Sequence, residues 1–253
     1  MASSRRLVTP LAGLLAAVPA LFGPSTSAAA AACSVHSGTV APAVVELYTS
    51  EGCSSCPPAD RWLSRLKAEP AVVALAFHVD YWDRLGWKDR FASPAHTQRQ
   101  MQQQAVSGAR FSYTPQVIVN GVDRPDWPRA PVVAAAHPSP VEVQLGRDGN
   151  RVTASVAARQ GAPARLAAYW AVTEQQHVSA VKAGENAGAT LTHDAVVRDY
   201  RPVSAWTAAP GGPPTTLQFD LGAPADPAHP RQINLVIVDA DRGRPLQAAR
   251  LGC

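Results

Sequence analysis

The chain has little cysteine and little charge, and it lacks the long signatures of nucleotide and hydrolytic chemistry. Four of 253 residues are cysteine and 17% are charged. Neither G-x-G-x-x-G nor G-x-x-x-x-G-K-[ST] occurs, so nothing supports a loop that cradles phosphate. The absence of G-x-S-x-G removes the nucleophile elbow of a serine hydrolase. No second C-x-x-C and no H-x₃₋₅-H follows the first cysteine pair, which argues against a structural zinc site of that kind. No Lys/Arg cluster is interleaved with aromatics, so no nucleic-acid partner is expected. Glycine has no period, which excludes a collagen-like chain, and 46% hydrophobic residues supply a core.

Residues 1–32 read as an export signal. Arg5 and Arg6 form a basic start, Leu11 to Phe22 an apolar stretch, and Ser25 to Ala32 a run of small residues suited to cleavage. The apolar stretch is shorter than the roughly 20 residues that span a bilayer, and no other segment is long enough. Removal of the signal takes Arg5 and Arg6 and lowers the formal charge from +4 to +2. The mature protein is expected to be soluble and exported, periplasmic or secreted, where disulfides persist. Four cysteines allow three pairings. Cys33 and Cys253 lie at the two ends of the mature chain and suit a terminal clasp; the rival is lipidation of Cys33, although Ala30-Ala31-Ala32 lacks the leucine usual before a lipidated cysteine.

Along the chain, Val44 to Thr49 reads as a buried strand. Ala59, Trp62, Leu63 and Leu66 then fall on the stripe of an amphipathic helix, with Pro57 suited to its first turn and Asp60 to its positive end. Val72 to Val79 is a second buried strand. Ser93-Pro94 opens a helix running to about Ala105. Gln116 to Val119 is a strand, Asn120-Gly121 a tight hairpin turn, and Arg129 to Ala136 a short helix. This order is the layout of an α/β thioredoxin-like domain, placed over residues 33–137. After the linker His137 to Pro140, short alternating segments separated by turn residues predict a mainly β, sandwich-like domain over 141–253. Its strands are Val141 to Leu145, Arg151 to Ala157, Leu166 to Thr173, Thr216 to Leu221 and Ile233 to Asp239.

Chemistry concentrates at Cys53-Ser54-Ser55-Cys56, between a strand and a helix. The thiolate is the reactive form of cysteine. Backbone N–H groups at the helix start and the hydroxyls of Ser54 and Ser55 can stabilise it on Cys53, leaving Cys56 as the resolving thiol. Pro57 and Pro58 work against this, because they disfavour helical geometry at Cys56 and remove two donors from the first turn. Cys53 to Cys56 then forms a turn ahead of the helix. Thr114-Pro115, just before a strand and an Asn-Gly hairpin, sits where thioredoxin folds place a cis-proline beside the cysteines, with the preceding backbone free to pair with an extended peptide; the alternative is a trans proline at a strand start.

The stretches VVELYTSEGCSSCPPAD, LAFHVDYWDRLGWKDRFASPAHTQRQ, YTPQVIVNG and GENAGATLTHDAVVRDY together resemble the exported thioredoxin-like family catalogued as domain of unknown function 1223. The resemblance covers most of the mature chain and implies a thioredoxin-like fold with a C-x-x-C. By analogy with thioredoxin-fold relatives it implies Cys53 as nucleophile, Cys56 as resolving thiol and Pro115 as cis-proline. It brings no assigned reaction. Ser-Ser stands between the cysteines where thioredoxin has Gly-Pro, so no reduction potential carries over.

Other residues are candidates with bland alternatives. His78, Asp80 and Asp83 can face the cysteines, where a carboxylate shuttles a proton or a histidine joins a metal site; His78 equally reads as a hydrogen-bonded core residue. Tyr81, Trp82, Trp87 and Phe91 line a groove for a substrate chain or form a small core under a long loop. Thr192 or Asp194 caps a helix through Val196 and Val197, and His193 is a candidate for a site between domains. The leading expectation is thiol-disulfide exchange at Cys53 and Cys56, with Thr114, Pro115 and Trp82 at the substrate and Asp80 and His78 as a proton relay. The expected partners are protein thiols or disulfides and a redox partner protein; no cofactor is implied. The rivals are a soft-metal carrier, since two thiolates and a histidine suit Cu(I), and a binding module in which Cys53–Cys56 is a permanent staple.

Overall fold

The computed structural model describes Met1, residues 33–222 and residues 224–253; the export signal read over 1–32 lies, Met1 aside, outside the described residues. Ala32–Cys253 forms one compact unit. Its first half runs β1 (Cys33–His36), β2 (Ala43–Thr49), α1 (Pro57–Leu66), β3 (Val72–His78), α2 (Pro94–Ser107), β4 (Gln116–Val119) and β5 (Val122–Asp123). Only strands follow: β6 (Val141–Asp148), β7 (Arg151–Ala158), β8 (Arg165–Glu174), β9 (His177–Ala180), β10 (Thr190–His193), β11 (Val196–Thr207), β12 (Thr215–Asp220), β13 (Arg231–Asp239) and β14 (Pro245–Leu251).

The expected α/β thioredoxin-like domain followed by a β-rich domain is corrected by this architecture. The structure is mainly β and sandwich-like, with two α-helices among the described residues. Strands from both halves of the sequence share one eight-stranded sheet of order β14-β13-β8-β11-β3-β2-β4-β5. The seam is narrow. β11 meets β3 in parallel at Val196 and Ala76, where the Ala76 amide donates to the Ala195 carbonyl at 2.8 Å. The edge of β3 is therefore paired by the second half of the chain. A four-stranded sheet, β1-β6-β7-β12, packs on the β8-β13-β14 end.

Alternation along β2 and β3 assigns their two faces. Val45, Leu47, Ala74 and Ala76 point toward α1 and pack on Ala59, Trp62 and Leu63. Val44, Tyr48, Val73, Leu75 and Phe77 point the other way and share a cluster with Tyr169 of β8 and Val236 of β13. β2 and β3 are buried along their whole length, as their unbroken apolar runs require.

Two other local expectations are overturned. Residues 129–136 form no helix: Pro131 disfavours helical geometry at Ala130, and the chain makes turns closed by Trp127, Arg129 and Ala130 amides instead. Val196 and Val197 lie in a strand, not a helix. Ala195 takes φ +54°, which stops a right-handed helix, and Asp194 accepts from the distant Gln176 amide rather than capping its own segment. Ser93 does cap α2, its hydroxyl accepting from the His96 amide at 3.3 Å. Asn120 and Gly121, at φ +50° and +76°, make the hairpin between β4 and β5.

Cys33 is bonded to Cys253, Cα–Cα 5.9 Å. β1 belongs to the smaller sheet and β14 ends the larger one, so this bond ties the two sheets.

A buried carboxylate joins the halves. Glu46 of β2 accepts from Tyr48 Oη at 2.6 Å, from Tyr169 Oη of β8 at 2.6 Å and from Arg99 Nη2 of α2 at 2.7 Å. Burial alone raises its pKa, but the Arg99 charge and these hydrogen bonds outweigh burial and hold it below the ordinary carboxylate value. The folded carboxyl thus titrates lower than the unfolded one. Its stabilisation is complete at neutral pH and is lost as pH falls through the folded value. Glu46→Gln should cost roughly 3–5 kcal/mol at pH 7, the usual effect of stranding a buried partner charge. In urea unfolding the gap from wild type should begin to narrow as pH falls below the ordinary carboxylate value of about 4.3, where the unfolded chain takes up the proton, and close further as pH falls through the lower folded value.

Candidate functional site

β2 and β3 are parallel and end side by side at Thr49 and His78, and the site lies just beyond them. The chain leaves β2 through a tight turn. The Gly52 amide donates to Ser50 Oγ at 3.1 Å, and the Cys53 amide to the Ser50 carbonyl at 3.2 Å. A Cβ at Gly52 would lie 3.1 Å from Trp82 Cβ, closer than an ordinary contact, so glycine lets the turn approach Trp82. Cys53 and Cys56 are bonded, Cα–Cα 5.4 Å, and both are fully buried.

The helix begins at Pro57, with Cys56 as its N-cap residue. Pro57 and Pro58 carry no N–H, and the first donors, Ala59 and Asp60, both reach the Cys56 carbonyl at 2.9 and 3.1 Å. No helix amide is left for Cys53. Its sulfur meets hydroxyls instead: Thr114 Oγ1 donates at 3.3 Å and Ser55 Oγ lies at 3.4 Å. Trp82 Nε1 donates to Thr114 Oγ1 at 2.8 Å and so fixes that hydroxyl. The Thr114–Pro115 peptide bond is cis. Thr114 thus contacts Cys53, Trp82 supports Thr114, and Pro115 follows Thr114 through the cis bond.

The other candidates are dispersed. Asp80 is tied to α2, its Oδ1 accepting from Thr97 Oγ1 at 2.6 Å. His78 is fully buried on the α1 side of the sheet, with Nδ1 2.7 Å from Asp89 Oδ2. Burial lowers the His78 pKa, yet the Asp89 charge and hydrogen bond outweigh it and the net shift is upward. Burial raises the Asp89 pKa, but the His78 charge and hydrogen bond, helped by the Glu51 and Phe91 amides that donate to it, hold its carboxyl low. Cys33 and Cys253 belong to the bond between the sheets.

Sequence reasoning gave no role to the segment that covers the cysteines. Between β9 and β10, Glu185 Oε2 accepts from the Ser54 amide at 3.0 Å and from Ser54 Oγ at 2.7 Å. Asn186 Nδ2 donates to the carbonyls of Glu51 and Cys53, each at 2.9 Å. Gly184-Glu185-Asn186 was visible as part of a shared motif, but nothing local shows that it reaches over 130 residues back. Glu51, Asp60 and Asp89 were also missed as a group; their only signal was acidic residues beside apolar strands.

Fold and site define a mainly β protein with a buried C-x-x-C disulfide at the ends of two parallel strands. The family model described as protein of unknown function (DUF1223) matches residues 44–239, and the chain belongs to that family. No curated protein matches it. Among solved structures it is similar to protein AGR_C_4864 from Agrobacterium tumefaciens, at 26% identity and TM-score 0.59, over 84% of this chain and 94% of that one. It also shares its fold with HBP35 of Porphyromonas gingivalis, at 15% identity and TM-score 0.57, over 85% of this chain and 76% of that one.

Glu185 holds the covering segment on the cysteine turn through two hydrogen bonds. Glu185→Ala should therefore speed reduction of Cys53–Cys56 by dithiothreitol severalfold, followed by thiol alkylation and mass spectrometry, while the Cys33–Cys253 rate stays unchanged.

Proposed function

We propose that Cys53 and Cys56 form a redox centre that exchanges electrons with protein thiols and disulfides outside the cytoplasm. The observation that carries the reading is the Thr114 hydroxyl directed at Cys53 Sγ and fixed by Trp82. A hydroxyl donor stabilises a thiolate, the form in which cysteine attacks and leaves. In the oxidising direction a substrate thiolate attacks Cys53 Sγ, the bond to Cys56 breaks, and Cys56 leaves as a thiolate. A second substrate thiolate then attacks the substrate sulfur of the mixed disulfide and releases Cys53 as a thiolate. Two electrons pass to the protein and a substrate disulfide forms. The reverse sequence reduces a substrate, with Cys53 attacking and Cys56 resolving.

Two further features support the reading. The β2–β4 register begins at Gln116, so the Thr114 backbone lies outside that ladder, in reach of an extended substrate segment. Phe111, 63% exposed and 5.8 Å from the Tyr113 ring, adds apolar surface two residues away. Two disulfides in one chain support export, the compartment that the sequence reading of residues 1–32 expects. No helix among the described residues is long and apolar enough to cross a membrane.

One observation favours a second reading. Both cysteines are 0% exposed, as suits a permanent staple. The two readings differ in turnover. With a disulfide-bonded test protein and a thiol reductant, Cys53→Ser should abolish exchange and Cys56→Ser should accumulate a mixed disulfide visible on non-reducing gels. Equal turnover in wild type and Cys53→Ser would leave the staple.

A further inference from the structure

Beneath the cysteine turn, three side chains from separate elements converge on one buried point, Asp60, His78 and His193, and a fourth, Glu51, lies against His193. Glu51 follows β2, Asp60 lies in the first turn of α1, His78 ends β3 and His193 ends β10. They are 0, 7, 0 and 2% exposed. One ligating atom each of Asp60, His78 and His193 lies within 4.8 Å of the others. Glu51 Oε1 is 3.5 Å from His193 Nε2.

Three of the four groups are held from behind. Asp89 Oδ2 binds His78 Nδ1 at 2.7 Å, so the free ring nitrogen is Nε2. Thr49 Oγ1 donates to Asp60 Oδ2 at 3.1 Å. Trp87 Nε1 donates to Glu51 Oε2 at 2.6 Å. Four buried atoms of these side chains make no hydrogen bond: His78 Nε2, both ring nitrogens of His193 and Glu51 Oε1, the last facing His193 Nε2 at 3.5 Å. Each such buried atom costs about 1–3 kcal/mol when unsatisfied, so their clustering beside Asp60 calls for a ligand.

We propose that Glu51, Asp60, His78 and His193 bind a divalent transition-metal ion of the zinc type. The donor set is two imidazoles and two carboxylates, which suits Zn²⁺; calcium and magnesium favour oxygen alone. Two carboxylates balance the charge of one divalent ion. The Asp89–His78 pair is the carboxylate–histidine–metal arrangement that fixes a ligating tautomer and orients the ring. Metal–ligand bonds of about 2.1 Å place tetrahedral ligand atoms about 3.4 Å apart, so the side chains close slightly onto the ion. The thiols take no part, because Cys53 and Cys56 are bonded to each other. Complete burial makes the ion structural: it joins β3, α1 and β10 to the turn that presents Cys53. The site stands apart from the exchange chemistry and holds whether or not the cysteines turn over.

The test uses the full-length oxidised chain, stripped with a chelator and titrated with Zn²⁺ by calorimetry and with Co²⁺ by visible absorption. One equivalent of either ion is expected. Co²⁺ should give the intense bands of a tetrahedral site without a thiolate charge-transfer band, and Zn²⁺ should raise Tm by several degrees. Asp89→Asn, which leaves all four ligands in place, should weaken binding roughly 10–100-fold, and His193→Gln at least as much. The double variant Cys53→Ser, Cys56→Ser should still bind one equivalent. No stoichiometric binding by the wild type would overturn the proposal, as would binding unchanged in His193→Gln or lost in the double cysteine variant. The wild-type stoichiometry decides even where His193→Gln fails to fold.

Discussion

The carboxylate of Glu46 has no water to turn to, and much of the tertiary structure is the answer to that constraint. An isolated buried carboxylate is far too costly to keep ionised. Here Tyr48 comes from its own strand, Arg99 from α2 and Tyr169 from the second half of the chain. Arg99 also lies 4.4 Å over the Tyr169 ring, adding a cation–π contact to the ion pair. A buried ion pair is weak evidence for net stability against an apolar replacement, but it is specific about which elements must meet. β8 is separated from β2 by β11 and β3 in the sheet, and Tyr169 reaches Glu46 across that interval. The interaction thereby supports a seam that backbone pairing holds at Val196 and Ala76 alone.

The same strand carries the constraint to the site. Below Glu46 and Tyr48 come Thr49, which holds Asp60, then Ser50, which shapes the turn, then Glu51 and Cys53. The electrostatics at Cys53 differ from those of a cysteine at a helix start. Two consecutive prolines delete the amides that would face a thiolate, and the hydroxyls of Thr114 and Ser55 stand in their place. A hydroxyl is a weaker and more adjustable donor than a fixed row of amides and a helix dipole. Access is set from elsewhere, by Glu185 and Asn186 closing over the turn from the β9–β10 segment.

Much of the local structure was legible because its causes are local. The apolar run of β2, the stripe of α1, the Ser93 cap and the Asn120-Gly121 hairpin each follow from neighbouring residues, and the strands β6, β7, β8, β12 and β13 were placed within a few positions. The errors fall where a distant partner or a single backbone angle decides. Val196 and Val197 pair with strands instead of forming a helix, and residues 129–136 make turns instead of the helix read there. The α/β reading failed for the same reason: element order resembles a self-contained domain, while the sheet borrows its neighbours from residues 165–251.

Sequence alone determined that Cys53 and Cys56 sit between a strand and a helix and that Pro57-Pro58 push the helix start past them. The second follows from two missing amides alone: the expected loss of helical geometry at Cys56 does not occur, since Cys56 takes φ −77° and ψ −36°. Tertiary structure alone decided what surrounds those sulfurs. Thr114 lies 61 residues away, Glu185 lies 131 residues from Ser54, and His193 meets Glu51 only because β10 packs against α1. Burial and polar partnership are properties of packed surfaces, and periodicity along one segment carries no information about which other segment will cover it.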